Sequence, residues 1–294
     1  MLIDIDNMKK ILTPVRLLFA FTLCLASCGG NSKSEVNIPT EYCEELVKLA
    51  EEGNAEAQNK LGYCYDVGQG VEQSVSEAVK WYQKAAEQDN ADAQTNLGSC
   101  YHEGKGVPQS DAEAFKWFEK SAKQGNAVGQ NNLGLCYDNG IGVEQSYKEA
   151  VKWYKKAAEQ GLARSQYLLG SCYLKGEGVE QSDSEGEKWL EKAANQGLAD
   201  AQAALGDICY SHGMYDDAMG RYCQAALQGH KAGQEAMNTW IKDLAYQGNA
   251  DAQCAIGLYM ENRGFMDEAI GWFNLAAKGG NHVAAEKLKK LNKL

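Results

Sequence analysis

The chain has 294 residues, 44% of them hydrophobic, and carries 40 Asp and Glu against 29 Lys and Arg, for a formal net charge of −11. Phosphate recognition needs a concentrated basic face, which this composition does not supply, so a nucleic-acid partner is excluded and electrostatic docking on anionic lipid is disfavoured. Only three prolines occur, and Ala, Glu, Gln, Lys and Leu are abundant; these residues lose little rotamer freedom in a helix, so an all-α chain is expected.

Lys9, Lys10 and Arg16 precede an apolar run from Leu17 to Ala26. The run matches the charged and hydrophobic regions of a secretory signal and is short for a membrane span. It ends Leu25-Ala26-Ser27-Cys28, which resembles the bacterial lipobox, in which small residues precede a cysteine that accepts lipid and becomes the first residue after cleavage. Cys24 follows the bulkier Phe21-Thr22-Leu23 and fits that pattern poorly. Residues 1–27 are therefore read as a lipoprotein signal peptide with Cys28 as lipidation site, the start being Met1 or Met8. Residues 28–40, with Gly29-Gly30-Asn31-Ser32, read as a flexible tether. An ordinary signal peptide with an incidental cysteine is the competing reading.

From residue 41 to 294 the sequence repeats. Leu61-Gly62, Leu97-Gly98, Leu133-Gly134, Leu169-Gly170 and Leu205-Gly206 recur every 36 residues. This is the period of a solenoid whose units bury apolar surface by stacking on their neighbours. In one unit Ala127, Gln130, Leu133, Gly134 and Tyr137 share a helix face. Gly140 and Gly142 then stop that helix, and Ala150, Trp153, Tyr154, Ala157 and Ala158 form the apolar stripe of a second. Each unit is thus an antiparallel helical hairpin. Trp117 and Trp153 are assigned to its inter-helix core, and the interleaved Lys and Glu to a solvated face.

These elements, Ala-x-x-Leu-Gly, Gly-x-Gly-Val and Lys-Trp-Tyr-x-Lys-Ala-Ala, resemble the Sel-1-like repeat family, a branch of the tetratricopeptide-like solenoids. The resemblance implies a right-handed α/α superhelical solenoid of stacked hairpins, with six to seven units. Departures gather between 207 and 248: the fifth unit lacks the Gly-x-Gly-Val loop and has Arg221-Tyr222 for Trp-Tyr, and around Gln234 the unit is shortened, so that Trp240 leads directly to Gln247-Gly248. Drift or a specialised surface would each produce this. At the C-terminus Val283, Ala284, Leu288 and Leu291 are expected to cap the stack.

The remaining chemistry-bearing residues are weak signals. Cys64, Cys100, Cys136 and Cys172 recur once per unit. Equivalent stacked helices lie about 8–10 Å apart, beyond the roughly 7 Å Cα separation a disulfide tolerates, so they are read as small packing residues. Cys43, Cys209, Cys223 and Cys254 break the period, and a pair among them remains open. Gly68-Gln69-Gly70 and its repeats have no preceding strand, so they are helix terminators rather than phosphate loops. His102, His212, His230 and His282 lack ligand spacing, so neither metal nor cofactor is expected. No Ser-x-x-Lys, Gly-x-Ser-x-Gly or His-Glu-x-x-His occurs. Tyr65, Tyr101, Tyr137 and Tyr173 read as core with hydroxyls at a groove rim.

The expected function is a non-enzymatic interaction scaffold for a protein or peptide, tethered to the bacterial envelope through lipid on Cys28, with no catalytic residue assigned. Two alternatives stand beside it: an envelope enzyme handling beta-lactams, which the resemblance to cysteine-rich relatives suggests, and a regulatory module sensing an envelope component.

Overall fold

The Leu-Gly repeat is a packing device. In the computed structural model, which describes residues 40–291 with side chains from residue 44, Leu61, Leu97, Leu133 and Leu169 are at most 2% exposed. The glycine after each leaves room for a large side chain of the partner helix: a Cβ on Gly62 would lie 2.7 Å from the Tyr82 ring, on Gly98 2.7 Å from Phe118, on Gly134 2.6 Å from Tyr154 and on Gly257 2.6 Å from Phe273. The leader, Cys28 and the tether lie outside the described residues, as does the side chain of Cys43.

All elements among the described residues are helices. Helix α1 (Thr40–Glu51) is followed by the hairpins α2 (Ala55–Val67) with α3 (Val75–Ala86), α4 (Ala91–Glu103) with α5 (Asp111–Lys123), α6 (Ala127–Asn139) with α7 (Tyr147–Glu159), α8 (Ala163–Lys175) with α9 (Asp183–Asn195), and α10 (Ala199–Ser211) with α11 (Tyr215–Leu227). A truncated pair, α12 (Lys231–Asn238) and α13 (Trp240–Tyr246), precedes the last hairpin, α14 (Ala250–Asn262) with α15 (Met266–Lys278), and α16 (His282–Leu291). Each hairpin packs on the next, making a helical solenoid. No described helix is long and apolar enough to cross a membrane.

The boundaries are set by caps. Asn54, Asn90, Asn126 and Asn249 accept from the backbone N–H three residues on, opening the first helix of their units. Ser74, Ser110, Ser146 and Ser182 do the same for the second helices, each followed by a Glu in the third position, the Ser-x-x-Glu signature of a helix start. Between them Gly142 has φ +68°, and a Cβ there would sit 2.2 Å from the Asp111 carbonyl oxygen. The loop glycine therefore both reverses the chain and seats it on the preceding unit.

A ladder of buried glutamines stitches the units together. Gln94 donates to the Ala86 carbonyl at the end of α3 and accepts from Gln124 just past α5. Gln130 does the same with Ala122 and Gln160, Gln166 with Ala158 and Gln196, and Gln202 with Ala194 and Gln228. Gln58 begins the series with Ala50 and Gln88. Each rung adds a side-chain donor to a last-turn carbonyl that the following turn already holds through a backbone N–H, and, from Gln94 onward, ties the ends of two successive second helices to the helix between them.

The assignment of Trp117 and Trp153 to the inter-helix core needs correction. Phe118 and Tyr154, one residue on, fill the core at 5% and 0% exposure, while both tryptophans are half-buried at its edge. Lys120 and Lys156 lie over their rings, 4.0 Å from the centroids. A helix turns about 100° per residue, so adjacent aromatics face different surroundings; the lysine three residues on reaches only the outer one. The end cap needs a smaller correction: Ala284 is fully buried and Leu288 and Leu291 pack beside it, but Val283 is 54% exposed.

Two stability outcomes follow. Tyr154→Ala empties a fully buried site and should cost about 3–5 kcal/mol, so thermal melts should place its midpoint well below that of Trp153→Ala. Gln166→Leu removes the hydrogen bonds to the Ala158 carbonyl and from the Gln196 amide while each keeps another partner, so it should cost about 0.5–1.5 kcal/mol per lost bond, and hydrogen exchange should show the loosening confined to the adjoining units.

Candidate functional site

The regular unit becomes irregular between α11 and α14. Counting back from Gln247-Gly248, Trp240 occupies the position that Trp153 holds before Gln160-Gly161, and Ile241, fully buried, replaces Tyr154. In the regular unit 27 positions separate the opening Asn126 from Trp153, but only 10 separate His230 from Trp240. The missing segment is the end of the first helix, the glycine loop and the start of the second. Thr239, at φ −114° and ψ −110°, makes the abrupt join between α12 and α13.

Deleting those residues removes a wall. A cavity of about 710 Å³ opens between the end of α10, the start of α11 and α13, lined by Tyr210, Met214, Tyr215, Trp240 and Leu244 together with Asp216, Asp217 and Asp243. The rings contact one another: Tyr210 and Tyr215 have centroids 5.4 Å apart, Tyr210 and Trp240 5.3 Å, and Tyr222 meets Trp240 edge-on at 6.1 Å. Tyr210 and Tyr215 are nonetheless 45% and 53% exposed. Clustered exposed aromatics of this kind mark a binding surface more than a lone exposed leucine does.

The charge of the hollow is one-sided. Asp216, Asp217 and Asp243 are exposed, while nearby cations are engaged elsewhere: Arg221 pairs with Glu191, Lys231 with Glu235, and Lys242 lies over the Tyr246 ring. Below the hollow, Tyr222 donates to Asp207; burial first, and then that carboxylate, hold its hydroxyl protonated well above the ordinary phenol range. Ser165 bonded to Asn131 between successive units, and Thr95 bonded to Ser121 within one hairpin, are buried polar contacts and present nothing to solvent.

The residues weighed from sequence fall elsewhere. Cys64, Cys100, Cys136 and Cys172 are buried and unbridged, and Cys209, Cys223 and Cys254 are likewise free thiols. Burial pushes the Cys136 and Cys172 thiols up to about 12, and Cys223, beside Cys254, to about 11. Tyr65, Tyr101, Tyr137 and Tyr173 are half-buried and pack against the buried apolar clusters of the stack, Tyr137 meeting Phe115 edge-on at 5.5 Å. His102 pairs with Asp111, and His230 with Asp200, which also holds Arg164. Among the described residues no three His, Cys, Asp or Glu side chains are grouped to hold a metal ion. The aromatic hollow was signalled in sequence by the shortened unit, but Asp243 as a rim residue was not singled out.

Comparison with known proteins locates the same irregularity. The family model for the Sel1 repeat matches residues 55–90, 91–126, 127–162, 163–198, 199–230 and 250–281, leaving the truncated pair unmatched between the fifth and sixth repeats. No curated protein matches the sequence. Among solved structures, the chain is similar to c5321, a protective antigen of uropathogenic Escherichia coli strains with an SLR fold, at 32% identity and TM-score 0.62 over 84% of this chain. It spans 58% of that protein's length. It is also similar to a Sel1 repeat protein of Oxalobacter formigenes, at 35% identity and TM-score 0.60 over 69% of this chain and 85% of the other.

The packing role of the periodic cysteines has a direct check. Burial raises the thiols of Cys100, Cys136 and Cys172 well above neutrality, so their thiolate is scarce at pH 8 and the sulfurs are covered. Alkylation of the folded protein with iodoacetamide, mapped by mass spectrometry, should modify partly exposed Cys209 well before Cys136 and Cys172, which should react at comparable rates only in denaturant.

Proposed function

The chain belongs to the Sel1 repeat family, and from that premise we propose that it is a non-catalytic interaction scaffold, held at the bacterial envelope by lipid on Cys28 and binding a protein or peptide partner at the hollow beside Trp240. The family's fold typically serves protein–protein interaction, and stacked hairpins present an extended surface without dictating what binds it. One observation carries the reading: the break in the stack, closed on its inner side by an apolar cluster, leaves a large aromatic hollow open on its outer side. Tethering rests on the apolar run 17–26 followed by Leu25-Ala26-Ser27-Cys28.

Three experiments test this. A photo-crosslinking amino acid at Tyr215 should give a discrete protein adduct in intact cells, whereas the same probe at exposed Lys152 on a regular unit should not; identical adducts from both positions, or none from Tyr215, would overturn the hollow as the contact. Fatty-acid labelling should be lost in Cys28→Ala, and its persistence would overturn the anchor. Nitrocefin hydrolysis by the purified chain would overturn the non-catalytic assignment.

A further inference from the structure

We infer that the hollow is a receptor for an arginine side chain carried on an extended segment of the partner; this rests on the scaffold reading above and names what the scaffold recognises. The first argument is internal to the molecule. In four regular units a lysine three residues after the tryptophan covers its ring: Lys84 over Trp81, Lys120 over Trp117, Lys156 over Trp153 and Lys192 over Trp189, at 3.7–4.0 Å from the ring centroid. At the register-equivalent Trp240 the third residue is Asp243. The internal cation is replaced by a carboxylate, so the ring lacks the partner that its counterparts have, and a cation arriving from outside would meet both ring and counter-charge.

The second argument is the surroundings of that ring. Tyr210 and Tyr215 join Trp240 as further aromatic surface, and Asp216 and Asp217 add two carboxylates to the same hollow. An apolar guest would bring these carboxylates toward low dielectric without a partner, which is costly. A cation satisfies them and gains from the rings. The carboxylates are not grouped as ligands of a single ion, so an elongated cationic group suits the hollow better than a metal. Guanidinium is planar, weakly hydrated and able both to stack on an aromatic ring and to fork a carboxylate, which distinguishes it from the compact ammonium of lysine. The volume exceeds one side chain, leaving room for peptide backbone on either side, and the chain's net charge of −11 favours a basic segment.

The test uses the full chain with ¹⁵N-labelled tryptophan indoles, titrated with acetyl-Gly-Gly-Arg-Gly-Gly-amide and with the same peptide carrying citrulline, the neutral isostere of arginine. The arginine peptide should shift the Trp240 indole signal while leaving the other five tryptophans of the six in place, and the citrulline peptide should bind about tenfold more weakly. Asp243→Lys restores the regular ring-capping lysine at an exposed helical position and should abolish the shift with folding intact. Equal binding of citrulline, uniform movement of all six indoles, absence of any shift, or unchanged binding by Asp243→Lys would each overturn the inference. If the Tyr215 adduct in cells persists in Asp243→Lys, the scaffold reading stands and the arginine assignment fails; if Tyr215 yields no adduct at all, the scaffold reading itself fails.

Discussion

Everything in this solenoid depends on how the end of each second helix is fastened to its neighbours. A helix C-terminus exposes carbonyls without partners, and stacking buries some of them. Backbone N–H groups of the following turn reach these carbonyls, and Gln94, Gln130, Gln166 and Gln202 fasten them to the next unit by donating to the preceding unit and accepting from a glutamine of their own. Gln160 and Gln196 reach further, to the carbonyls of Gly125 and Gly161. Because the amide must sit within hydrogen-bond reach of two helix ends at once, the ladder fixes the translation between units, and the apolar residues pack within a spacing already set. Leucine at those positions would bury comparable area but would leave the spacing to side-chain packing alone.

The truncated pair shows what happens when the ladder is interrupted. Gln234 stands where Gln130 stands in the regular unit, and the series resumes only with Gln253, which donates to Ala245. The stack nevertheless continues, because α11 packs directly on α14: Cys223 in α11 meets the Ala255 carbonyl of α14, and one apolar cluster runs from Ala218 through Met237 and Ile241 to Tyr259. The short helices are bound on their inner side by that cluster and owe nothing to a neighbouring loop on the outer side.

Period and residue type were enough to read the solenoid, the hairpins and the helix-stopping role of Gly140 and Gly142, since each follows from local spacing. The roles of Trp153 and Tyr154 were not separable that way. Both lie on an apolar stripe, and only the position of the neighbouring unit decides that Tyr154 fills the core while Trp153 lies under Lys156. The glutamines were visible as a recurrence, but their function is relational: Gln130 and Gln160 are 30 residues apart, and nothing local announces that they meet. The hollow was half legible. A shortened unit could be counted, whereas the cavity it leaves depends on how α10, α11 and α13 close around the gap.

The placement of the hollow follows from nearest-neighbour energetics. In a regular unit the residues that face a neighbour are constrained by stacking: Gly142 cannot take a side chain without striking Asp111, nor Gly178 without striking Tyr147. A binding surface built there would have to satisfy stacking and ligand together. Shortening one unit separates the two demands, because continuity passes through α11, α14 and the inner face of α13, where Ile241 and Ala245 are buried, while the outer face of α13 and the exposed start of α11 are left open. Random decay of a repeat would be expected to lose aromatic surface where it no longer packs, since exposed rings gain nothing for the fold. Here Tyr210, Tyr215 and Trp240 are clustered around the gap with aspartates beside them, and it is this retained aromatic surface, not the shortening itself, that the proposed contact draws on.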